Sequence, residues 1–184
     1  MRRVATGVLA ACLLTTAVHA QTIKAATAKL QDGEGASVGI VELRQSKNDG
    51  VWLNVSIDKL PPGAHAFHIH ETGKCEGDFK SAGGHYAPEG NKHGVLVEGG
   101  PHAGDMPNLH VPSDGRLNVE IFQPSVSLTK DAKNTLFDDD GSAFVVHAGV
   151  DDYKSQPSGD AGGRIACGVV TNKTIDNAAN EPAK

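Results

Sequence analysis

The sequence predicts an all-β fold, an antiparallel β-barrel or sandwich of eight short strands that carries two long functional loops. Three observations lead there. Segments of period-two alternation recur along the chain. Glycine is abundant (22 residues) while aromatics make up only 4%. Turn signals containing Gly, Pro and Asp separate the segments, and stretches of helical periodicity are few. At 184 residues the chain has the size of one domain.

In chain order, residues 1–20 carry the pattern of an export signal. Arg2 and Arg3 form a positive start, Val4 to Val18 are mostly apolar or small, and Val18-His19-Ala20 suits cleavage before Gln21. The apolar stretch is shorter than the ~20 residues that a membrane span needs, so an anchor is the weaker reading. Leu9-Ala-Ala-Cys12 also matches a bacterial lipoprotein box, but apolar residues continue beyond Cys12, which fits cleavage at Gln21 better than a lipid at Cys12. No later segment is apolar enough to span a membrane.

The folded unit is expected over 21–171, followed by a polar, frayed tail at 172–184. Val51 to Ile57 places Val51, Leu53, Val55 and Ile57 on one face, and Leu117 to Ile121 alternates in the same way. Less regular strands are expected near 25–31, 36–44, 64–70, 126–129, 142–148 and 164–171. The two remaining stretches, 71–113 and 149–163, are rich in Gly and Pro and have no periodicity. Loops of that length inside one domain usually carry function.

The formal net charge is -5, and loss of the signal removes two arginines, which argues against nucleic acid as a partner. Export would also leave only Cys75 and Cys167. In an oxidising compartment one disulfide is the simplest outcome for an isolated pair, with two free thiols as the alternative.

Of nine histidines, seven lie between residues 65 and 110. In Phe67-His-Ile-His70, strand geometry points His68 and His70 to one face, as two ligands of one metal require. Alone, such a pair could be the polar side of a strand. His147, at the end of the apolar run Phe144-Val-Val-His147, adds a third imidazole, a ligand type that suits copper and zinc. The long loop adds His85, His93, His102 and Asp105, three histidines and a carboxylate, which make a closed tetrahedral zinc shell.

Gly63-Ala-His-Ala-Phe-His-Ile-His70, Gly83-Gly-His85, Lys92-His-Gly94, His102-Ala-Gly-Asp105, Val146-His147 and Gly162-Gly-Arg-Ile-Ala-Cys-Gly168 together resemble the copper–zinc superoxide dismutases, most closely their bacterial periplasmic branch. The resemblance covers roughly residues 26–171 and implies an eight-stranded antiparallel Greek-key β-barrel. It implies one copper ion on His68, His70, His85 and His147, and one zinc ion on His85, His93, His102 and Asp105. His85 would bridge the two ions. Asp151, in preference to its neighbour Asp152, would link a copper histidine to a zinc histidine. Cys75 and Cys167 match the family disulfide, and Arg164 matches the arginine of the substrate channel. His65 matches a histidine that packs beneath the copper site without binding metal, and His110 matches no ligand.

The implied activity is dismutation of superoxide to oxygen and hydrogen peroxide in the periplasm, protecting the cell envelope, with His85 and Arg164 as catalytic groups. His85 would hand a proton to the second superoxide. Arg164 would draw a small anion into a negatively charged protein. The chain departs from the animal enzymes in a shorter 148–163 loop without a Glu-Glu-Lys cluster, which leaves Lys74, Lys80, Lys92 and Lys154 as candidate steering groups. Other readings are a copper-delivery module and a zinc-only structural protein. Both fit poorly with a complete copper set and Arg164. The family contains monomers and homodimers, so a homodimer is an open expectation.

Overall fold

The computed structural model describes residues 23–175. The predicted export signal with Cys12, and the tail beyond residue 175, lie outside the described residues.

The described residues form strands β1 (Ile23–Asp32), β2 (Ser37–Gln45), β3 (Val51–Ile57), β4 (Gly63–His65), β5 (Phe67–His70), β6 (Leu109–Val111), β7 (Leu117–Gln123), β8 (Ala143–His147) and β9 (Arg164–Ile175). One 3-10 turn, Lys80–Ala82, is the only helical element among them. No helix among the described residues is long and apolar enough to cross a membrane.

Seven strands make one sheet in the order β5-β8-β9-β1-β2-β3-β7, and β4 pairs with β6. Every ladder is antiparallel. The two edges of the large sheet are tied together through the small one. β4 runs into β5 at one edge, while β6 turns through Pro112–Gly115 into β7 at the other. Non-sequential neighbours, β3 beside β7 and β5 beside β8, give the Greek-key connections. The fold is therefore the curled antiparallel barrel that the sequence predicts.

Membership of the strands differs in three places. The expected strand at 64–70 breaks at Ala66, whose N–H donates to the Gly149 carbonyl and whose carbonyl accepts from the His147 N–H. The chain thereby changes partner, from β6 before the break to β8 after it. Residues 126–129 form no strand. Val126 and Leu128 are buried, but Ser127 meets only Thr135 in an isolated bridge, so the alternation reflects a loop plugging the core. The three-residue β6 lay inside the predicted loop and is too short for periodicity to reveal. With β4 and β5 taken as one broken strand, the barrel has eight. At the end, β9 runs past the expected boundary because Asn172 to Ile175 pair with Ile23 to Ala26.

The core fills the barrel from alternate positions. Val51, Leu53, Val55 and Ile57 of β3 all point in, while Trp52 and Asn54 face out. In β5 and β8 all residues are buried, which needs cover on both faces. Phe67, Ile69, Phe144 and Val146 enter the main core. His68, His70, Val145 and His147 lie on the opposite face, under the long loops.

Phe67 and Phe144 stack with ring centroids 5.3 Å apart at the centre of this arrangement. Replacing Phe144 with Ala is expected to cost about 3–5 kcal/mol. The measurement is the urea unfolding midpoint of the disulfide-bonded protein.

Candidate metal centre

Two strands supply the first donor group. His68 and His70 project from one face of β5, and His147 ends the adjacent β8. A bulge between Val146 and His147 pairs His147 with Arg164 at the head of β9 and re-aims the imidazole at the strand end. The outer nitrogens of these rings are engaged by protein acceptors. His68 Nε2 faces Asp151 Oδ2 at 2.8 Å, His70 Nδ1 faces the Gly83 carbonyl at 3.0 Å, and His147 Nδ1 faces the Gly162 carbonyl at 3.4 Å. Donation to those oxygens fixes the tautomers and leaves the inner nitrogens as lone-pair donors. His70 Nε2 and His147 Nε2 then face each other at 3.4 Å.

The long loop supplies the second group because its backbone is hydrogen-bonded along β5. The Ile69 N–H donates to the Gly104 carbonyl at 2.9 Å, and the Ile69 carbonyl accepts from Tyr86 N–H at 2.9 Å. The resulting bridges set His85 opposite His70 and Asp105 opposite His68. Gly104 has to be glycine, since a Cβ there would lie 2.3 Å from the Ile69 carbonyl oxygen. Asp105 Oδ2 accepts from the N–H groups of Gly94 and His102 at 2.8 and 3.0 Å. That leaves Oδ1 facing the Nδ1 atoms of His85, His93 and His102 at 2.9, 3.0 and 3.3 Å.

His85 differs from the other buried rings, those of His68, His70, His93 and His147, in having no outer acceptor. Its Nδ1 points into the Asp105 group, and its Nε2 is buried without a partner. The ring lies between the two groups, with centroids 4.0 Å from His68 and 5.1 Å from His93. The donor atoms of His68, His70, His85 and His147 lie within 4.8 Å of one another, and so do those of His85, His93, His102 and Asp105. Among the described residues, His68 Nδ1, His85 Nε2 and Ser142 Oγ are the buried side-chain polar atoms without a partner. Two of these three belong to one donor group, and a bound cation would satisfy both. The residues therefore fit two adjacent metal ions that share one imidazole.

Asp151 lies between the groups, its Oδ2 on His68 and its Oδ1 on His93 Nε2 at 3.0 Å. Asp152 instead accepts from its own turn, at Lys154 N–H, Ser155 N–H and the Ser155 hydroxyl. Asn108 holds Asp151 in place. Its Oδ1 accepts from the Asp151 N–H at 2.9 Å, and its Nδ2 donates to the Asp151 carbonyl at 3.0 Å. Gln156 grips the His93 backbone in the same two-sided way, and Gln123 Nε2 donates to the Asp105 carbonyl. At Gly159 a Cβ would fall 1.9 Å from Asp151 Oδ1, so only glycine leaves room for that carboxylate.

Comparison with known proteins decides the family. The description "copper/zinc superoxide dismutase" matches residues 37–170. This chain belongs to the copper/zinc superoxide dismutase family. A superoxide dismutase [Cu-Zn] of Aquifex aeolicus is 50% identical over 167 residues, covering 89% of this chain and 96% of that protein. The crystal structure of a superoxide dismutase-like protein from Bacillus subtilis has a TM-score of 0.75 at 41% identity, covering 78% of this chain and 96% of its own. The Cu/Zn superoxide dismutase from Brucella abortus has a TM-score of 0.64 at 32% identity, covering 80% of this chain and 99% of its own.

The remaining expected residues fall as follows. His65 is buried, with Nδ1 2.9 Å from the His147 carbonyl and Nε2 2.8 Å from the Pro61 carbonyl, and joins neither donor group. His110 is exposed on β6. Cys75 and Cys167 form a disulfide across a sequence separation of 92. Arg164 donates from Nη1 to the Phe79 carbonyl at 2.6 Å and from Nη2 to the Gly83 carbonyl at 2.7 Å. Lys74, Lys80, Lys92 and Lys154 are all exposed, and Lys80 is ion-paired with Asp78. Asn108, Gln123, Gln156 and Gly159 were not legible beforehand. Each is a lone residue without a motif around it, and only the fold brings its partner near.

Electrostatics follow the geometry. Burial, then repulsion from His85, pushes the His70 imidazole down to about 2. Burial and His68 lower His147 to about 3. Burial lowers His85 to about 4, against the opposing effect of its hydrogen bond to the Asp105 carboxylate. Burial alone would raise the Asp105 carboxyl, but hydrogen bonds involving His102, His85 and the Gly94 N–H hold it well below the usual range. The three lowered histidines have a direct consequence. In the unfolded chain they protonate near their ordinary value of about 6.5, while the folded protein keeps them neutral to far lower pH. The unfolded state thus binds more protons below about pH 7, and stability is lost toward acid. Metal-free protein is expected to lose at most about 1.4 kcal/mol per pH unit for each such histidine between about pH 6 and pH 4. Urea unfolding across that range measures the slope.

Proposed function

We propose that this chain dismutates superoxide, with copper on His68, His70, His85 and His147 and zinc on His85, His93, His102 and Asp105. The observation that carries this reading is His85, a buried ring that offers one nitrogen to each donor group. Bound there, copper supplies a one-electron acceptor and donor, so that two superoxide ions and two protons become oxygen and hydrogen peroxide, while zinc is redox-inert.

The protein's own groups perform the rest. His85 is the one buried ring with both nitrogens turned into the donor groups, and its Nε2 has neither solvent nor a protein acceptor, which suits it to hold a proton and release it to a reduced oxygen species. Asp105, kept ionised, balances charge on the opposite nitrogen. Asp151 orients His68 and His93 together, and Asn108 fixes Asp151. Arg164, anchored on two carbonyls beside His70, presents positive charge to an entering anion in a chain of net charge -5.

Export to the periplasm, with cleavage before Gln21 and no lipid at Cys12, belongs to the same proposal. The charge and hydropathy pattern of residues 1–20 supports it, and so does a disulfide that an oxidising compartment would preserve. Protection of the cell envelope follows from that location. A homodimer is the proposed assembly, tested by sedimentation of the purified chain.

Purified protein should hold each metal at about one per chain. Pulse-radiolysis turnover should vanish when copper is removed and return with copper alone. Copper-loaded protein without turnover would contradict the reading and favour copper delivery.

A further inference from the structure

We propose that Phe79 is a positioning residue for Arg164: its buried ring, wedged against the Cys75–Cys167 disulfide, sets the direction of the guanidinium that receives the anionic substrate. This rests on the reading of Arg164 given above.

The guanidinium straddles two carbonyls. Nη1 donates to Phe79 and Nη2 to Gly83, on either side of the Lys80–Ala82 turn. Two of the five N–H donors are thereby used as a fixed mount, and the others are left for a ligand. The Gly83 carbonyl also accepts from His70 Nδ1, so that arm of the mount is held by the donor cluster itself. The other arm depends on Phe79.

Phe79 has a left-handed backbone, φ 64 and ψ 11. Glycine adopts that conformation freely, whereas a side chain makes it strained. Here the side chain is large and 5% exposed, in a small cluster with Ala82, Ala143, Val145, Cys167 and Cys75. This cluster is separate from the barrel core. The disulfide fixes the chain at Cys75, but Gly77, at φ 58 with open space around it, intervenes before Phe79. The covalent link alone therefore does not dictate where the Phe79 carbonyl points. The ring does, by holding the strained residue against the disulfide and the outer faces of β8 and β9. The Ala82 N–H donates to the same carbonyl at 3.1 Å and closes the turn. A chain of contacts thus runs from the disulfide through the Phe79 ring to Arg164, separately from every metal ligand.

The test uses fully metallated protein and two readouts. One is the affinity of azide for Cu(II), followed by visible absorption. The other is kcat/KM for superoxide across ionic strength. Phe79→Ala should lower both by about three- to tenfold at low salt, with copper and zinc content unchanged. Phe79→Val, a milder truncation, should shift both in the same direction and replaces the alanine variant if that does not fold. Arg164→Ala should lower both by about tenfold or more, and Phe79→Ala added to it should change neither further. Unchanged azide affinity in both Phe79 variants, beside a weakened Arg164→Ala, overturns the role of Phe79 and leaves that of Arg164. A Phe79 effect that persists in full without Arg164 also overturns it, because the ring would then act through general stability. An Arg164→Ala variant with undiminished affinity and rate overturns both readings.

Discussion

The backbone of Ile69 joins the barrel to the metal loop. Its side chain is buried in the main core, its N–H takes the Gly104 carbonyl, and its own carbonyl takes the Tyr86 N–H. With both groups engaged, the loop is held in register with β5, and His85 and Asp105 come to lie beside His70 and His68. Register in a sheet is all-or-none, since a slip of one residue sends every side chain to the other face. The same rule applied to this loop means that the two donor groups exist together or not at all. Gly104 permits the close approach, and no larger residue would.

Such a centre opposes the stability of the metal-free fold. Four imidazoles converge in a buried space, and the inner nitrogens of His68 and His85 have no protein partner to replace water. Burial holds three of the rings neutral far below their ordinary range. The surrounding structure compensates. Core side chains pack one face of β5 and β8, and the disulfide closes a long segment of chain, which loop-entropy reasoning values at about 4–5 kcal/mol. Binding of metal to the folded state alone would then add stability by linkage. Rigidity around the centre thus comes from contacts that do not involve the metals, including Asn108 on Asp151 and Gln156 on His93.

Legibility in the sequence followed the physical signals that sequence carries. Period-two alternation located Val51–Ile57 to the residue, and the His-x-His pair on one strand face was visible for the same reason. The loop ligands were legible as a set of residue types, although their meeting with β5 was not. Alternation misled at Val126 and Leu128, where apolar residues plug the barrel without a ladder. It was silent at Leu109–Val111, where three residues span too little of a period. Asn108, Gly159 and Phe79 were hidden for another reason. Each serves through contacts that only the folded chain assembles, and such contacts leave no periodic pattern in the sequence.

The central claim is that one imidazole, His85, serves both metal positions. Electron paramagnetic resonance of protein carrying Cu(II) at both positions tests it most directly. A shared imidazolate would couple the two unpaired spins, so the signal at low temperature should integrate to far less than two coppers per chain. It should recover on acidification as the bridge protonates. Two independent copper signals, with full intensity at neutral pH, would contradict the account.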